Sequence, residues 1–313
     1  MPRTGGLGRP RRRWHARAVL RLLLLCGSLL GVACDIPFPP PAPPKPEPTL
    51  PSDEELLAAR PYSVKEPPDS DGGTPLPLVL ALHGYGNSNT GLDAEFELTR
   101  LAERRGFLLV MPNGLPDARG NRAWNPDDET KPPFDREYLR ALLKDAKVKY
   151  AVDPSRVFVF GYSQGAHMAH RLGCDSSDVV TALVSVAGQV ATGMTECVPV
   201  EKVSVLQVHG TADQAIGYSG DLTEPIDPRI PSAHQTIAVW GRVDGCGALV
   251  PSTRTIDLSA EIDGDETTVE VYADCPPGIG VELWTMNGVQ HSPSPQPNFS
   301  SLLYSFLVQH PRP

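Results

Sequence analysis

Hydrophobic and polar positions along this chain fall into two alternating patterns. Short apolar runs predict buried strands at residues 77–82 (PLVLAL), 107–111 (FLLVM), 156–160 (RVFVF), 182–186, 203–208 and 281–286. Between them, apolar residues three and four apart predict helices at 92–105, 135–150, 166–172, 233–243 and 300–308. Strands that are apolar throughout and alternate with helices require a sheet buried on both faces. The expected fold class is therefore α/β, a mostly parallel, doubly wound sheet with helices on both faces. No internal repeat interrupts this order, and residues 61–313 read as one domain.

The first 33 residues read differently. Seven arginines precede an apolar run at 22–30, which ends in Gly31-Val32-Ala33-Cys34. A basic start, a short apolar stretch and small residues before a cut predict an export signal. A retained membrane anchor is the weaker alternative, because a spanning helix needs roughly 20 apolar residues. Residues 30–34 (LGVAC) resemble a lipoprotein box, with Cys34 as the acylated new N-terminus. Gly31 stands where that box has an aliphatic residue, and the small residues at 31 and 33 also suit an ordinary signal peptidase. Nine prolines between 36 and 51 predict a stiff extended spacer of about 50 Å. Residues 34–60 are thus expected to be a lipidated N-terminus and linker, and contact with a membrane is expected only through Cys34. The chain is expected to be exported, either as a cell-envelope lipoprotein or as a secreted protein.

Composition sharpens this reading. Loss of the signal leaves 21 bases against 37 acids, a net charge of −16. So acidic a domain is a poor partner for nucleic acid or anionic headgroups. With Cys34 set aside for the lipid, four cysteines remain, Cys174, Cys197, Cys246 and Cys275, an even set of the kind that pairs in an oxidising compartment. Three pairings are possible, and spacing does not choose among them. No short C-x-x-C pair suggests a zinc site, so neither metal nor cofactor is expected.

The chemistry gathers at strand ends. RVFVF runs into Gly161-Tyr162-Ser163-Gln164-Gly165, a G-x-S-x-G between a strand and a helix. A nucleophile on so sharp a turn needs small neighbours, since strand and helix backbones crowd there. A serine hydroxyl must give its proton to a positioned base that a carboxylate orients. Residues 203–208 end in His209-Gly210-Thr211-Ala212-Asp213, and 281–286 end in Asn287-Gly288-Val289-Gln290-His291. Asp213 and His291 are accordingly the expected acid and base, with Asp244 or Asp274 as the fallback acids. His83-Gly84-Tyr85-Gly86 follows PLVLAL; with the N–H of Gln164, the N–H of Tyr85 is expected to bind an oxyanion. His167 and His170 share a helix face but read as packing or surface residues, and His209 as a brace for its loop. Trp124-Asn125 is a candidate substrate contact.

In sequence, LVLALHGYG, RGFLLVMPNG, AWN, DPSRVFVFGYSQGAHMAHRLGC, VLQVHGTAD, VWGRVDGC and GVQH resemble the polyhydroxybutyrate depolymerase and feruloyl-esterase-like group of secreted α/β-hydrolases. The resemblance covers roughly residues 62–311. It implies an α/β-hydrolase fold, a Ser163–His291–Asp213 triad, oxyanion donors at Tyr85 and Gln164, and disulfides Cys174–Cys197 and Cys246–Cys275. The implied activity is hydrolysis of carboxylic esters, small or polymeric; the chain itself is expected to be a monomer. Two segments depart from the group: Ser292-Pro293-Ser294 replaces a Trp-Pro-Gly type sequence, and Gly86-Asn87-Ser88-Asn89 lacks the second glycine. Gly161-Tyr162-Ser163-Gln164-Gly165 is also close to the small carboxylesterase/phospholipase elbow. A peptidase of the same fold and a ligand-binding lipoprotein without activity are the remaining alternatives.

Overall fold

The computed structural model describes residues 49–126, 132–191, 194, 197–220 and 230–312. The expected signal, Cys34 and nearly all of the proline-rich stretch lie outside the described residues. In chain order the elements are α1 (Asp53–Ala59), β1 (Val64–Lys65), β2 (Leu76–Leu82), α2 (Asn89–Phe96), α3 (Leu98–Arg105) and β3 (Leu108–Val110). A small hairpin, β4 (Leu115–Pro116) and β5 (Arg122–Ala123), precedes α4 (Asp135–Lys149), β6 (Val152–Tyr162), α5 (Gln164–Asp175) and β7 (Ala182–Val186). Then follow β8 (Ser204–Gly210), α6 (Ala233–Asp244), β9 (Leu249–Ile256), β10 (Thr267–Tyr272), β11 (Val281–Met286) and α7 (Phe299–Gln309).

Nine strands form one sheet in the order β1-β3-β2-β6-β7-β8-β11-β10-β9. The six from β3 to β11 are parallel, and β1, β10 and β9 are antiparallel edges. Side chains along β2 alternate between two cores, Leu78, Leu80 and Leu82 on one side and Val79 and Ala81 on the other. The first core is closed by α4, α5 and α6, the second by α2, α3 and α7. This is the α/β-hydrolase fold. Because its central strands are parallel, the carboxyl ends of β2, β6, β8 and β11 open on one edge of the sheet.

Four details differ from the hydrophobic pattern. The helix expected over 92–105 is two helices, since Glu97 adopts a left-handed conformation (φ 49°) between them. Strand β6 starts earlier than residue 156 and runs for 11 residues. Strands β9 and β10 were not expected; β9 contains Pro251 and lies on the sheet edge, largely exposed. The linker boundary at residue 60 also moves. Ser52 and Glu55 form a capping box that starts α1, and Leu56 is buried in the core that α4 closes. Disulfides join Cys174 to Cys197 and Cys246 to Cys275, the pairing the family resemblance implied.

Candidate active site

At the end of β6 the chain makes a sharp turn into α5, with Ser163 at φ 55° and ψ −120°. Such a conformation is strained for a residue with a side chain and persists where the surroundings enforce it. Here the Ser163 N–H donates to Val186 O at 2.9 Å, tying the turn to β7. Gly165 sits against the end of β2, where an added Cβ would come 2.2 Å from the Leu82 carbonyl oxygen. Only a residue without a side chain lets strand and helix approach so closely.

His291, beyond β11, and Asp213, beyond β8, converge on this turn. Ser163 Oγ lies 2.9 Å from His291 Nε2, and His291 Nδ1 lies 2.7 Å from Asp213 Oδ2. The three residues expected to form a triad are thus one hydrogen-bonded line. The fallback acids are not in it: Asp244 receives the Val203 N–H instead. Asp213 Oδ1 accepts the N–H groups of Ala215 and Ile216, and His209 approaches Oδ2 at 3.2 Å. Burial raises the Asp213 pKa, but the hydrogen bonds from His209, His291 and Ile216 outweigh it and hold this carboxyl below the usual range. An ionised, fully coordinated carboxylate keeps the His291 Nδ1 proton in place and leaves Nε2 to accept from Ser163.

The loop after β2 lies against the serine. A Cβ at Gly84 would be 3.1 Å from Ser163 Cβ, so the backbone here passes beside the hydroxyl. The His83 ring fixes this loop. Its Nδ1–H donates to Gly84 O at 2.7 Å, and its Nε2 accepts the Gly114 N–H at 3.0 Å. Burial lowers the pKa of His83 and keeps it neutral, as this arrangement requires. With the Gly84 carbonyl held by His83, the Tyr85 N–H on the same peptide plane points the opposite way. Among the described residues, no acceptor is paired with the N–H of Tyr85 or of Gln164. The latter opens α5, whose N-terminal dipole favours negative charge. The arrangement can therefore generate an alkoxide equivalent at Ser163 and offer two backbone donors to an oxyanion.

Trp124 is a brace rather than an open contact surface. It is 3% exposed; its indole N–H donates to His83 O and its backbone N–H to Gln164 Oε1, both at 2.9 Å. It thereby links the two loops that carry the candidate oxyanion donors. Beneath it, Asp135 pairs with Arg60 and accepts the Asn125 N–H at 2.7 Å. Tyr85 is the reverse case: its ring is 46% exposed, while its hydroxyl donates to Asp117 and accepts from Asn121.

The two segments that depart from the family have structural work. Ser292 Oγ meets the Tyr162 hydroxyl at 3.0 Å and Tyr162 also reaches His291 O, which ties the base's loop to the elbow. Ser88 caps α2 by accepting the Gly91 N–H. Sequence patterning reads His170 only as a packing or surface residue and gives the ring of His83 no role; both are fully buried. Neither carries a local signal, because both contacts are made across the fold.

Known proteins resemble this chain at several levels. A model of the phospholipase/carboxylesterase family matches residues 70–223, a span that contains Ser163 and Asp213 and stops short of His291. Feruloyl esterase B of Piromyces equi is 26% identical over 235 residues, 73% of this chain and 42% of that protein. Poly(3-hydroxyalkanoate) depolymerase C of Paucimonas lemoignei is 25% identical over 233 residues, 69% of this chain and 54% of its own length. The chain spans less than two thirds of either relative. Among solved structures, acetyl xylan esterase from Aspergillus awamori superposes with a TM-score of 0.57 at 15% identity, covering 79% of this chain and 93% of that one. That last likeness supports the fold.

Proposed function

We propose that this chain, an α/β-hydrolase that resembles the feruloyl esterases and polyhydroxyalkanoate depolymerases in sequence, is an exported serine esterase that cleaves carboxylic esters through an acyl-enzyme. The observation that carries the reading is the hydrogen-bonded line Ser163–His291–Asp213, with the Gly84 backbone packed beside the serine. Ser163 Oγ attacks the ester carbonyl while its proton passes to His291 Nε2. The N–H groups of Tyr85 and Gln164 bind the oxyanion. Collapse expels the alcohol, which takes the proton from His291. Water then attacks the acyl-serine, giving its proton to His291, and the acid leaves as Ser163 recovers its own.

Turnover of p-nitrophenyl acetate and butyrate by the full chain tests this. Ser163→Ala should lower kcat by roughly a thousandfold or more without changing the melt. A folded, inactive wild type would instead support the ligand-binding alternative, and a variant that keeps its activity would move the nucleophile elsewhere. Methyl ferulate, acetylated xylan and polyhydroxybutyrate film then separate the ester classes. The G-Y-S-Q-G elbow and the phospholipase/carboxylesterase match at residues 70–223 favour small soluble esters as the second reading.

A further inference from the structure

Asp213 sits at the end of a buried polar chain that the proposed reaction does not use. Trp240 on α6 donates its indole N–H to His170 Nδ1 on α5 at 2.9 Å. His170 Nε2 meets Gln207 Oε1 on β8 at 3.0 Å. Gln207 Nε2 meets Gly188 O at 2.8 Å and His209 Nδ1 at 3.3 Å. Finally, His209 Nε2 faces both Ile216 O at 2.9 Å and Asp213 Oδ2 at 3.2 Å. Trp240, His170, Gln207 and His209 are all fully buried.

Proton placement along this chain has one solution. Indole is a donor only, so His170 Nδ1 must accept and its proton must sit on Nε2. Gln207 must then turn its oxygen to His170 and its amide nitrogen to His209, where its two protons match the two acceptors. That makes His209 Nδ1 an acceptor and places its proton on Nε2. The other end agrees independently: Nε2 faces a carbonyl and a carboxylate, neither of which can donate. Gln207 and His209 are two apart on β8 and so share one face, which α5 and α6 cover.

We infer that Trp240, His170, Gln207 and His209 form a positioning wire, in which the indole N–H sets the direction of every bond and aims a neutral His209 N–H at the catalytic acid. No proton travels along it. His209 donates to the same Asp213 oxygen as His291 and so draws off part of the charge that would otherwise stabilise protonated His291. The wire thus shares the Asp213 charge between two imidazoles and holds the carboxylate in plane. Burial takes the pKa of His170 down to about 3, so it stays neutral throughout the working range.

Removal of the His209 donor leaves Asp213 with more uncompensated charge. That charge faces His291, and the acid limb of kcat/KM moves to higher pH. Other groups face these rings: the Tyr218 ring stands edge-on to His209, and its hydroxyl meets Thr285 and His234, which pairs with Glu270. His167 acts on His170, while Tyr162 and the half-buried Glu95 lie near His291. None of these residues is replaced in the variants below, so differences from wild type report the wire.

The test is the pH profile of p-nitrophenyl acetate hydrolysis by the full chain. His209→Phe, which keeps the ring and loses the N–H, should lower kcat by roughly three- to thirtyfold with little change in KM. Its acid limb should rise by about half a unit or more. Trp240→Phe should move the limb the same way by less, and His209→Gln, which restores a donor, should bring it back towards wild type. A His209→Phe profile that overlies wild type overturns the wire; if that variant does not fold, an unshifted Trp240→Phe does so. The inference rests on the proposed triad, so an inactive wild type would sink the esterase reading first. Nitrogen-15 spectra of the histidine rings test the wire without activity. Protons on Nε2 of both His170 and His209 support it, and loss of the single tautomer at His170 in Trp240→Phe supports its direction. An Nδ1 proton on either ring overturns it.

Discussion

Gly165 shows how much of the site depends on one absent side chain. A Cβ there would come 2.2 Å from Leu82 O, which ends β2, and 2.7 Å from His83 O just beyond it. Gly165→Ala must therefore push α5 away from the loop that carries Tyr85. We expect a loss of about 1–3 kcal/mol in urea denaturation, with a larger fractional loss of esterase turnover. Unchanged values for both would mean that the junction has slack. This glycine was legible from the motif, as were Ser163, Asp213 and His291, because each ends a strand whose apolar run is plain. His83 as a clamp and His170 as a buried partner were not legible. Their hydrogen bonds reach residues 31 and 37 positions away, and no local pattern records such distances.

At the level of elements, the main revision concerns α1. Its sequence follows a proline-rich stretch and reads as linker, yet its C-terminal Arg60 is buried over the Tyr138 ring, 3.9 Å from the centroid. Arg60 pairs there with Asp135, which is 1% exposed, and donates to Asn113 O. Burial raises the Asp135 pKa, and the Arg60 charge offsets this only in part. Arg60→Ala would strand that carboxyl in the core beside the Asn125–Trp124 brace. The expected cost is about 3–5 kcal/mol, read by urea denaturation at neutral pH; a cost below about 1 kcal/mol would show that the pair is dispensable. The β9–β10 edge was hidden for another reason. An exposed edge strand buries little, so its sequence lacks the apolar run that announced β2 or β7.

For the molecule as a whole, the alternation of apolar runs and helical stretches sufficed to anticipate the sheet and its reactive edge. The antiparallel margins depend on pairing partners far along the chain and were not anticipated. Two covalent links then fasten the periphery. Cys174–Cys197 ties the end of α5 to the segment before β8, and Cys246–Cys275 ties the end of α6 to the turn after β10. With separations of 23 and 29 residues, each is worth about 3 kcal/mol by loop entropy. Reduction should lower the melting temperature by roughly ten degrees or more; scanning calorimetry with and without dithiothreitol measures it. A melt indifferent to reductant would mean that the packed sheet alone sets the stability.

Tyr85 gives the fold a separation of duties. In the proposed reaction its backbone N–H meets the oxyanion, while its ring faces solvent beside the site. A main-chain donor survives any exchange of side chain except to proline. Exchange of the side chain at position 85 can therefore remodel the threshold over which substrates arrive and keep the donor itself, at the cost of the hydroxyl's bonds to Asp117 and Asn121. Such a position divides the work: the side chain shapes the entrance, and the main chain keeps the charge-stabilising donor.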